Sequence, residues 1–480
     1  MSAIKRLASY AGVDILAALL GLITSPITTR LLSIEQYGAI SYIAAAWTPF
    51  MVARYAGVDW SFIFFKSRKG TDQESLISSC TQVICISSVV VGFVFFAFAL
   101  QSGIFRGEQV IGLYEVSFFV MGVILVALVD WFLLLLRFSH QATIYAKISV
   151  IQKVCVILVA LPAMYMSSPE KRLLVYFFVA AFVPVVSLLY AIRVMHHSGL
   201  QPFAWRFGSF PVIKELLAYG VFLVPGGILY ALIAVADRLL LGSMSGVEAV
   251  ALLALATALS APITMLKKWV SLVLNPLIVD WVRDLEQAEY TRNLDALLHS
   301  LSVFFFPVVV LITIWAKPVV QILYTENYHL SATLVPVLAF SGVLAVLTLV
   351  AISTVLISQN RSATLKINLL ALLANIMLAV YLIPRYGAIG AALGTVLAEF
   401  LILMIWAAVG SLLHKNLVLN WMRILPVIAV VFLLVLMGAF HFYQDVGFLQ
   451  RALASVLCLG LSTAYFWFNS RNLKIVKQLL

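Results

Sequence analysis

An all-α polytopic membrane protein is the fold class that the sequence predicts, and three observations predict it. Of the 480 residues, 63% are hydrophobic and 11% are charged, against about 25% charged in ordinary soluble domains. So few charges cannot cover a surface facing water. The mean hydropathy is +1.07. Apolar runs of about 18 residues or more recur along the whole chain, and about 20 suffice for a spanning helix. No soluble catalytic domain fits beside them.

About fourteen such runs are predicted to span, separated by short gaps marked by charge, Pro or Gly. The first, 12–32, follows Lys5 and Arg6 and superficially suggests a signal peptide. Its length, Asp14 near its start and the lack of a clear cleavage site make it a span instead. The second, 38–58, contains Pro49, and runs at 76–100, 112–136, 148–166 and 173–192 complete a first set of six. After a polar gap, 217–236 opens a second set. The run at 247–279 is too long for a simple crossing, so it projects from the membrane or bends at Pro262 or Pro276. The polar segment Asp280–Ser300 has helical spacing of its apolar positions and predicts a cytoplasmic helix lying on the surface. Runs at 301–323, 332–356, 365–383 and 387–411 complete the second set, and 424–442 and 448–467 follow. The predicted division is therefore an N-terminal six-helix bundle (1–200), a cytoplasmic linker (201–216), a C-terminal six-helix bundle (217–411), and two additional helices with a basic cytoplasmic tail (412–480).

Lys and Arg concentrate in the gaps on the side of the N-terminus, which places both termini in the cytoplasm. Arg471, Lys474 and Lys477 in the tail agree with that orientation, as topology anchors. The net charge of +11 is thus explained by topology, and nucleic acid is not implied as a partner. Cys80, Cys85, Cys155 and Cys458 all fall in apolar runs with no CxxC pair and no His at ligand spacing, so neither a disulfide nor a metal is implied.

The two halves begin alike. TRLLSIEQYGAISYIAAAWTPFMVAR from Thr29 resembles DRLLLGSMSGVEAVALLALATALSAPITMLK from Asp237. Arg30-Leu31-Leu32 matches Arg238-Leu239-Leu240. Past a longer second turn, Glu35 meets Glu248, Pro49 meets Pro262 and Arg54 meets Lys267. Because the paired runs have the same direction, the repeats are parallel, related by an axis along the membrane normal.

Charged groups within spans are costly and usually face a cavity or a partner. Arg54 and Lys267 sit toward the cytoplasmic ends of their runs, where long stems allow either snorkelling to the interface or the lining of a cavity. Lys268 stands beside Lys267, with apolar sequence continuing after both. Arg30 lies four residues after Pro26, whose bend exposes it to a central space or leaves it as an interfacial anchor. Lys153 fits an anchor better. If these cations share one cavity, an anionic group suits it, and phosphate above all, because Arg grips its oxygens in a fork. The carboxylates Asp14, Glu115, Asp130 and Glu399 form a second set that could bind H⁺ or Na⁺ or pair with the arginines. Glu115 and Asp130, near span ends, fit solvated placement. Trp47 and Trp269 could stack on sugar rings, although Trp is ordinary in membrane helices. Pro26, Pro49 and Pro262 are candidate bending points.

The segment Asn360–Phe400, with Asn375, Ile383-Pro384 and Tyr386-Gly387-Ala388-Ile389-Gly390-Ala391-Ala392, resembles the bacterial polysaccharide transporter family of Wzx-type flippases. Pro26–Gly38 (PITTRLLSIEQYG) and Asp237–Gly242 (DRLLLG) look like the same family. The resemblance implies two helical bundles around a central cavity, as in the wider superfamily that includes multidrug exporters and the lipid II flippase. It implies movement of undecaprenyl-pyrophosphate-linked oligosaccharide, such as an O-antigen repeat unit, from the inner to the outer leaflet of the bacterial cytoplasmic membrane by alternating access. Membrane lipids and the polymerase and glycosyltransferase of the same pathway are the partners it suggests, with no cofactor beyond H⁺ or Na⁺ coupling. The alternative is a cation-coupled exporter of small amphipathic drugs, whose cavity carboxylates would dominate. A membrane-embedded glycosyltransferase would need an extramembrane loop with paired carboxylates or His, which the short gaps lack. No GxSxG, HExxH, Walker A or GxGxxG stands in a supporting context.

Overall fold

The computed structural model describes residues 3–66, 72–101, 111–139, 141–197, 208–284, 286–356, 361–413, 428, 431, 432, 435 and 447–470. Its helices are α1 (Ala3–Leu31), α2 (Ile34–Ala53), α3 (Val58–Lys66), α4 (Gln73–Gln101), α5 (Leu113–Phe138), α6 (Ala142–Met166) and α7 (Arg172–His197). They continue with α8 (Phe210–Gly220), α9 (Val224–Ser245), α10 (Val247–Asp284), α11 (Gln287–Leu323), α12 (Ser331–Leu356), α13 (Arg361–Leu413) and α14 (Phe448–Ser470). No strand occurs among the described residues. The chain is an all-α multi-pass membrane protein, and it forms two compact units, Met1–Val235 and Ala236–Leu480.

In the first unit, α5 packs against α4, α6 and α7, while α6 also meets α1. Trp131, Phe132 and Leu136 of α5 form a buried cluster with Phe62 of α3, Leu76 and Cys80 of α4 and Ile148 of α6. The Trp131 indole N–H donates to Thr81 Oγ1 at 2.9 Å, which satisfies the one polar atom of a buried indole. A capping box starts α2: the Gln36 N–H donates to Ser33 Oγ, and the Ser33 N–H to the Gln36 side chain, each at 3.2 Å. Gln36 Nε2 also donates to the Pro169 carbonyl at 3.2 Å, and Arg172 Nη1 to the Leu31 carbonyl at 2.7 Å. The α1–α2 corner is thereby tied to the α6–α7 corner.

In the second unit, α12 packs against α10, α11 and α13 and is its most enclosed helix, with 89% of its apolar stretch buried. Apolar side chains gain little from leaving lipid, so helices in a membrane adhere through close packing and hydrogen bonds between them. Here Ser331 Oγ donates to the Leu252 carbonyl at 3.0 Å and Ser260 Oγ to the Val335 carbonyl at 3.1 Å. The guanidinium of Arg451 on α14 donates to the Ile314 carbonyl of α11 at 2.6 Å.

The α13 segment is two antiparallel arms. Gly387 takes φ 54° and ψ −129°, and beyond it Gly390 returns to Leu382 and Gly394 to Ala379. A straight helix would hold Gly394 about 22 Å from Ala379 at 1.5 Å per residue. Gly390 and Gly394, four apart, present no side chain where the arms meet. The reversal agrees with the division predicted between 365–383 and 387–411.

Nine helices among the described residues are long and apolar enough to cross a membrane, the last of them being this hairpin. The predicted runs at 12–32, 38–58, 424–442 and 448–467 are not among the nine, so the described residues do not account for all fourteen. The 424–442 run lies almost wholly outside the described residues, as do 201–207 of the linker and the tail from 471. Three details differ from the sequence expectation. The 217–236 run is interrupted at Val221–Leu223, and α9 then continues through Asp237 and Arg238 to Ser245, because an ionisable pair need not end a helix when the side chains find partners. No separate surface helix occupies Asp280–Ser300; that stretch supplies the end of α10 and the start of α11. The second run stops at Ala53, where the backbone turns.

Candidate functional site

Two interrupted helices meet in the first unit. Between α2 and α3 the chain turns through Arg54–Gly57, with Ala56 at φ 49° and Gly57 at φ 72°. Between α8 and α9 it turns through Val221–Leu223. The two breaks touch: a Cβ on Gly220 would stand 2.7 Å from the Gly57 carbonyl carbon. A broken helix leaves backbone groups to be satisfied otherwise. The Arg54 carbonyl accepts from Ser87 Oγ at 2.6 Å and Ser88 Oγ at 3.4 Å, while Ser61 Oγ donates to the Leu216 carbonyl at 2.8 Å and ties α3 to α8.

The Arg54 side chain is 5% exposed, and its Nη2 donates to Asp130 Oδ2 at 2.8 Å. The same nitrogen lies 3.0 Å from the Tyr55 hydroxyl, which donates to the Ala127 carbonyl at 3.2 Å. The guanidinium carbon sits 4.7 Å from the Tyr55 ring centre, and Arg54 Nε is buried with no hydrogen-bond acceptor. Asp130 is more open, with 42% of its side chain exposed, and it also feels the charge of Lys153. Beside this pair lies a cavity of about 220 Å³. Arg54, Tyr55, Gly57, Asp59 and Trp60 border it from the first break, and Leu223, Val224 and Gly227 from the second.

A second polar cluster occupies the other unit. Buried Asp237 on α9 accepts from the Arg238 N–H at 2.8 Å and from Thr395 Oγ1 at 3.0 Å. One turn beyond Thr395 on α13, Glu399 feels the charge of half-buried Lys267 on α10. Thr395→Val removes one of the two hydrogen bonds accepted by a buried carboxylate, and bonds to charged groups are worth about 1.5–3 kcal/mol. The detergent-purified variant should melt several degrees below the parent, and an unchanged melting temperature would show that the hydroxyl contributes nothing.

Of the residues singled out from sequence, the structure thus brings Arg54, Asp130 and Lys153 together in one unit and Lys267 and Glu399 in the other. Lys153 and Lys268 are exposed, as is Arg30 at the end of α1. Glu115 caps α5, its carboxylate accepting from the Gly112 N–H at 3.0 Å. Asp14 falls on α1, its side chain outside the described residues, and so does the side chain of Trp269. Pro26, Pro49 and Pro262 lie within α1, α2 and α10, which continue past them. Trp47 is not placed to receive a sugar: it is buried, its ring centre 5.1 Å from that of Phe95 and 6.1 Å from that of Phe50. Sequence reasoning missed Tyr55, Gly57, Asp59, Trp60, Gly220, Asp237 and Thr395. The glycines were the available signal, since each interrupts an otherwise apolar run.

Buried charges at interrupted helices mark the functional site of a multi-pass α-helical membrane protein. A family model described as polysaccharide biosynthesis protein matches residues 27–333, and the chain belongs to that family. The fold is similar to that of the lipid II flippase MurJ in its inward closed conformation, with TM-score 0.70 and 14% identity over 95% of this chain and 98% of that one. It is also similar to an inward-facing multidrug resistance MATE family transporter of the MOP superfamily, with TM-score 0.62 and 14% identity over 83% and 95%. The bent form of the Vibrio cholerae MATE transporter VcmN matches with TM-score 0.52 and 11% identity over 86% and 98%. No curated protein sequence matches the chain.

Proposed function

We propose that this protein is a flippase that carries undecaprenyl-pyrophosphate-linked oligosaccharide, an O-antigen or similar repeat unit, from the cytoplasmic to the outer leaflet of the bacterial inner membrane by alternating access. The observation that carries the proposal is the buried Arg54 guanidinium at a helix break, in a chain of the polysaccharide biosynthesis family. Arg54 exchanges the Asp130 carboxylate for the substrate's pyrophosphate, and its fork suits either oxygen pair. Arg30, Lys153, Lys267 and Lys268 complete the cationic path, and the repeat pairs Lys267 with Arg54. Alternating access in this reading is rocking of the bundles 1–200 and 217–411, with Pro26, Pro49 and Pro262 as bending points and both termini cytoplasmic. Asp14, Glu115, Asp130 and Glu399 are the groups through which H⁺ or Na⁺ would couple. The polymerase and glycosyltransferase of the same pathway are its partners in this reading, and no chemical step is assigned to this chain.

The test is translocation of a short-chain polyprenyl-pyrophosphate glycan by the purified protein in liposomes, beside a monophosphate analogue and an uncharged amphipathic dye. Movement that requires the pyrophosphate is expected. Efflux of dye without glycan movement moves the assignment to a cation-coupled exporter of amphipaths, the second reading, which the carboxylates Asp59, Asp237 and Glu399 favour.

A further inference from the structure

The cavity beside Gly57 has a composition that the pyrophosphate does not explain. Arg54 on its wall is already neutralised by Asp130 at 2.8 Å, and Asp59 on the same wall adds a carboxylate. A second anionic group beside the pyrophosphate on Arg54 meets Asp59, and a cation meets Arg54. An uncharged ring bearing hydroxyls meets neither penalty, because a hydroxyl both donates and accepts. It can donate to the Asp59 carboxylate, which lines the cavity.

The aromatic lining points the same way. Trp60 is 62% exposed at the cavity, whereas Trp47 is packed into a cluster of phenylalanines. An open indole offers an apolar face with a polar edge, suited to a ligand that is apolar on one face and polar at its rim. The volume, about 220 Å³, lies below the roughly 300–1,000 Å³ of pockets that enclose drug-sized ligands. It takes one ring, not a whole repeat unit. The contact between Gly57 and Gly220 fixes the wall on which these groups stand.

We propose that this cavity is a subsite for one uncharged sugar ring of the transported glycan, with Trp60 as its platform and Asp59 as the acceptor of its hydroxyls. The proposal rests on the flippase reading and deepens it, since it assigns sugar recognition to the same break that carries Arg54.

The experiment measures affinities of the full-length protein in nanodiscs for four probes: polyprenyl pyrophosphate bearing one N-acetylglucosamine, the same carrier bearing one galactose, the bare carrier, and tetraphenylphosphonium. At least one sugar-bearing carrier should bind tenfold or more tightly than the bare one. Trp60→Ala should erase that difference with the bare carrier's affinity unchanged, Trp60→Phe should keep most of it, and Asp59→Asn should reduce it. Equal affinity for sugar-bearing and bare carriers overturns the subsite while leaving the flippase reading intact. So does a Trp60→Ala loss that is the same for both, which marks a structural role, or a sugar preference that survives both the Trp60→Ala and Asp59→Asn changes. Binding of tetraphenylphosphonium that depends on Trp60, with no carrier bound at all, overturns the flippase reading as well and makes the cavity a cation site.

Discussion

Gly57→Ala is expected to lower the melting temperature of the purified protein by roughly 4–20 °C, or to prevent recovery of a monodisperse species at all. Two costs combine at that position. Its φ of 72° is a left-handed conformation that costs an L-residue with a side chain about 1–2 kcal/mol. A Cβ there would also stand 2.7 Å from Gly220 Cα and closer still to the Gly220 carbonyl oxygen, and overpacking of this kind typically costs about 1–3 kcal/mol. The obstacle is backbone, so no rotamer change relieves it. The sum, about 2–5 kcal/mol, is a large part of a typical stability of about 5–15 kcal/mol, and each kcal/mol shifts melting by about 2–4 °C in a unit of this size. Gly226→Ala is the control, because a Cβ there meets nothing within 4 Å. If Gly57→Ala melts with the control, the breaks do not pack as described.

That crossing also shows what the sequence could reveal. Composition and run length were enough for an all-α multi-pass chain, since lipid allows no other way to satisfy a long apolar backbone short of a closed barrel. The hairpin within α13 was legible too, as the Pro384 gap broke two long runs at the place where the arms reverse. The breaks at Arg54–Gly57 and Val221–Leu223 were not, because hydropathy carries no information on φ and a glycine such as Gly57 or Gly220 does not by itself end a run. Asp237 was misplaced for the opposite reason: charge had been used to mark the end of a run, yet its carboxylate has Thr395 as a donor on α13. Trp47 and Trp60 differ in no local feature that predicts one buried and the other open. Arg54 stood out as a cation in an apolar run, but its partner Asp130 is 76 residues away, and nothing in the spacing joins them. Pairing of a carboxylate with an arginine was one of the alternatives that the sequence left open, and the structure selects it for the most buried cation by closing Arg54 with Asp130.

This closure makes Arg54 and Asp130 separable as structure and as function. Asp130→Ala should be clearly destabilising, because it leaves a guanidinium that is only 5% exposed without its counter-charge. Breaking a buried pair in that way costs about 3–5 kcal/mol, and the low end applies here since the Asp130 side is 42% open and the pair is partly screened. Replacing both partners by apolar side chains of similar volume is often neutral, because neither charge remains to be desolvated. Arg54→Met with Asp130→Leu should thus melt within a few degrees of the parent while Asp130→Ala alone falls well below it. Transport sorts the variants differently. If Arg54 passes from Asp130 to the pyrophosphate, the stable double variant moves polyprenyl-pyrophosphate glycan at least tenfold more slowly, because it has lost the fork rather than the fold. A double variant that is stable and transports at the parental rate confines Arg54 to a structural role and takes away the residue on which the flippase proposal leans most.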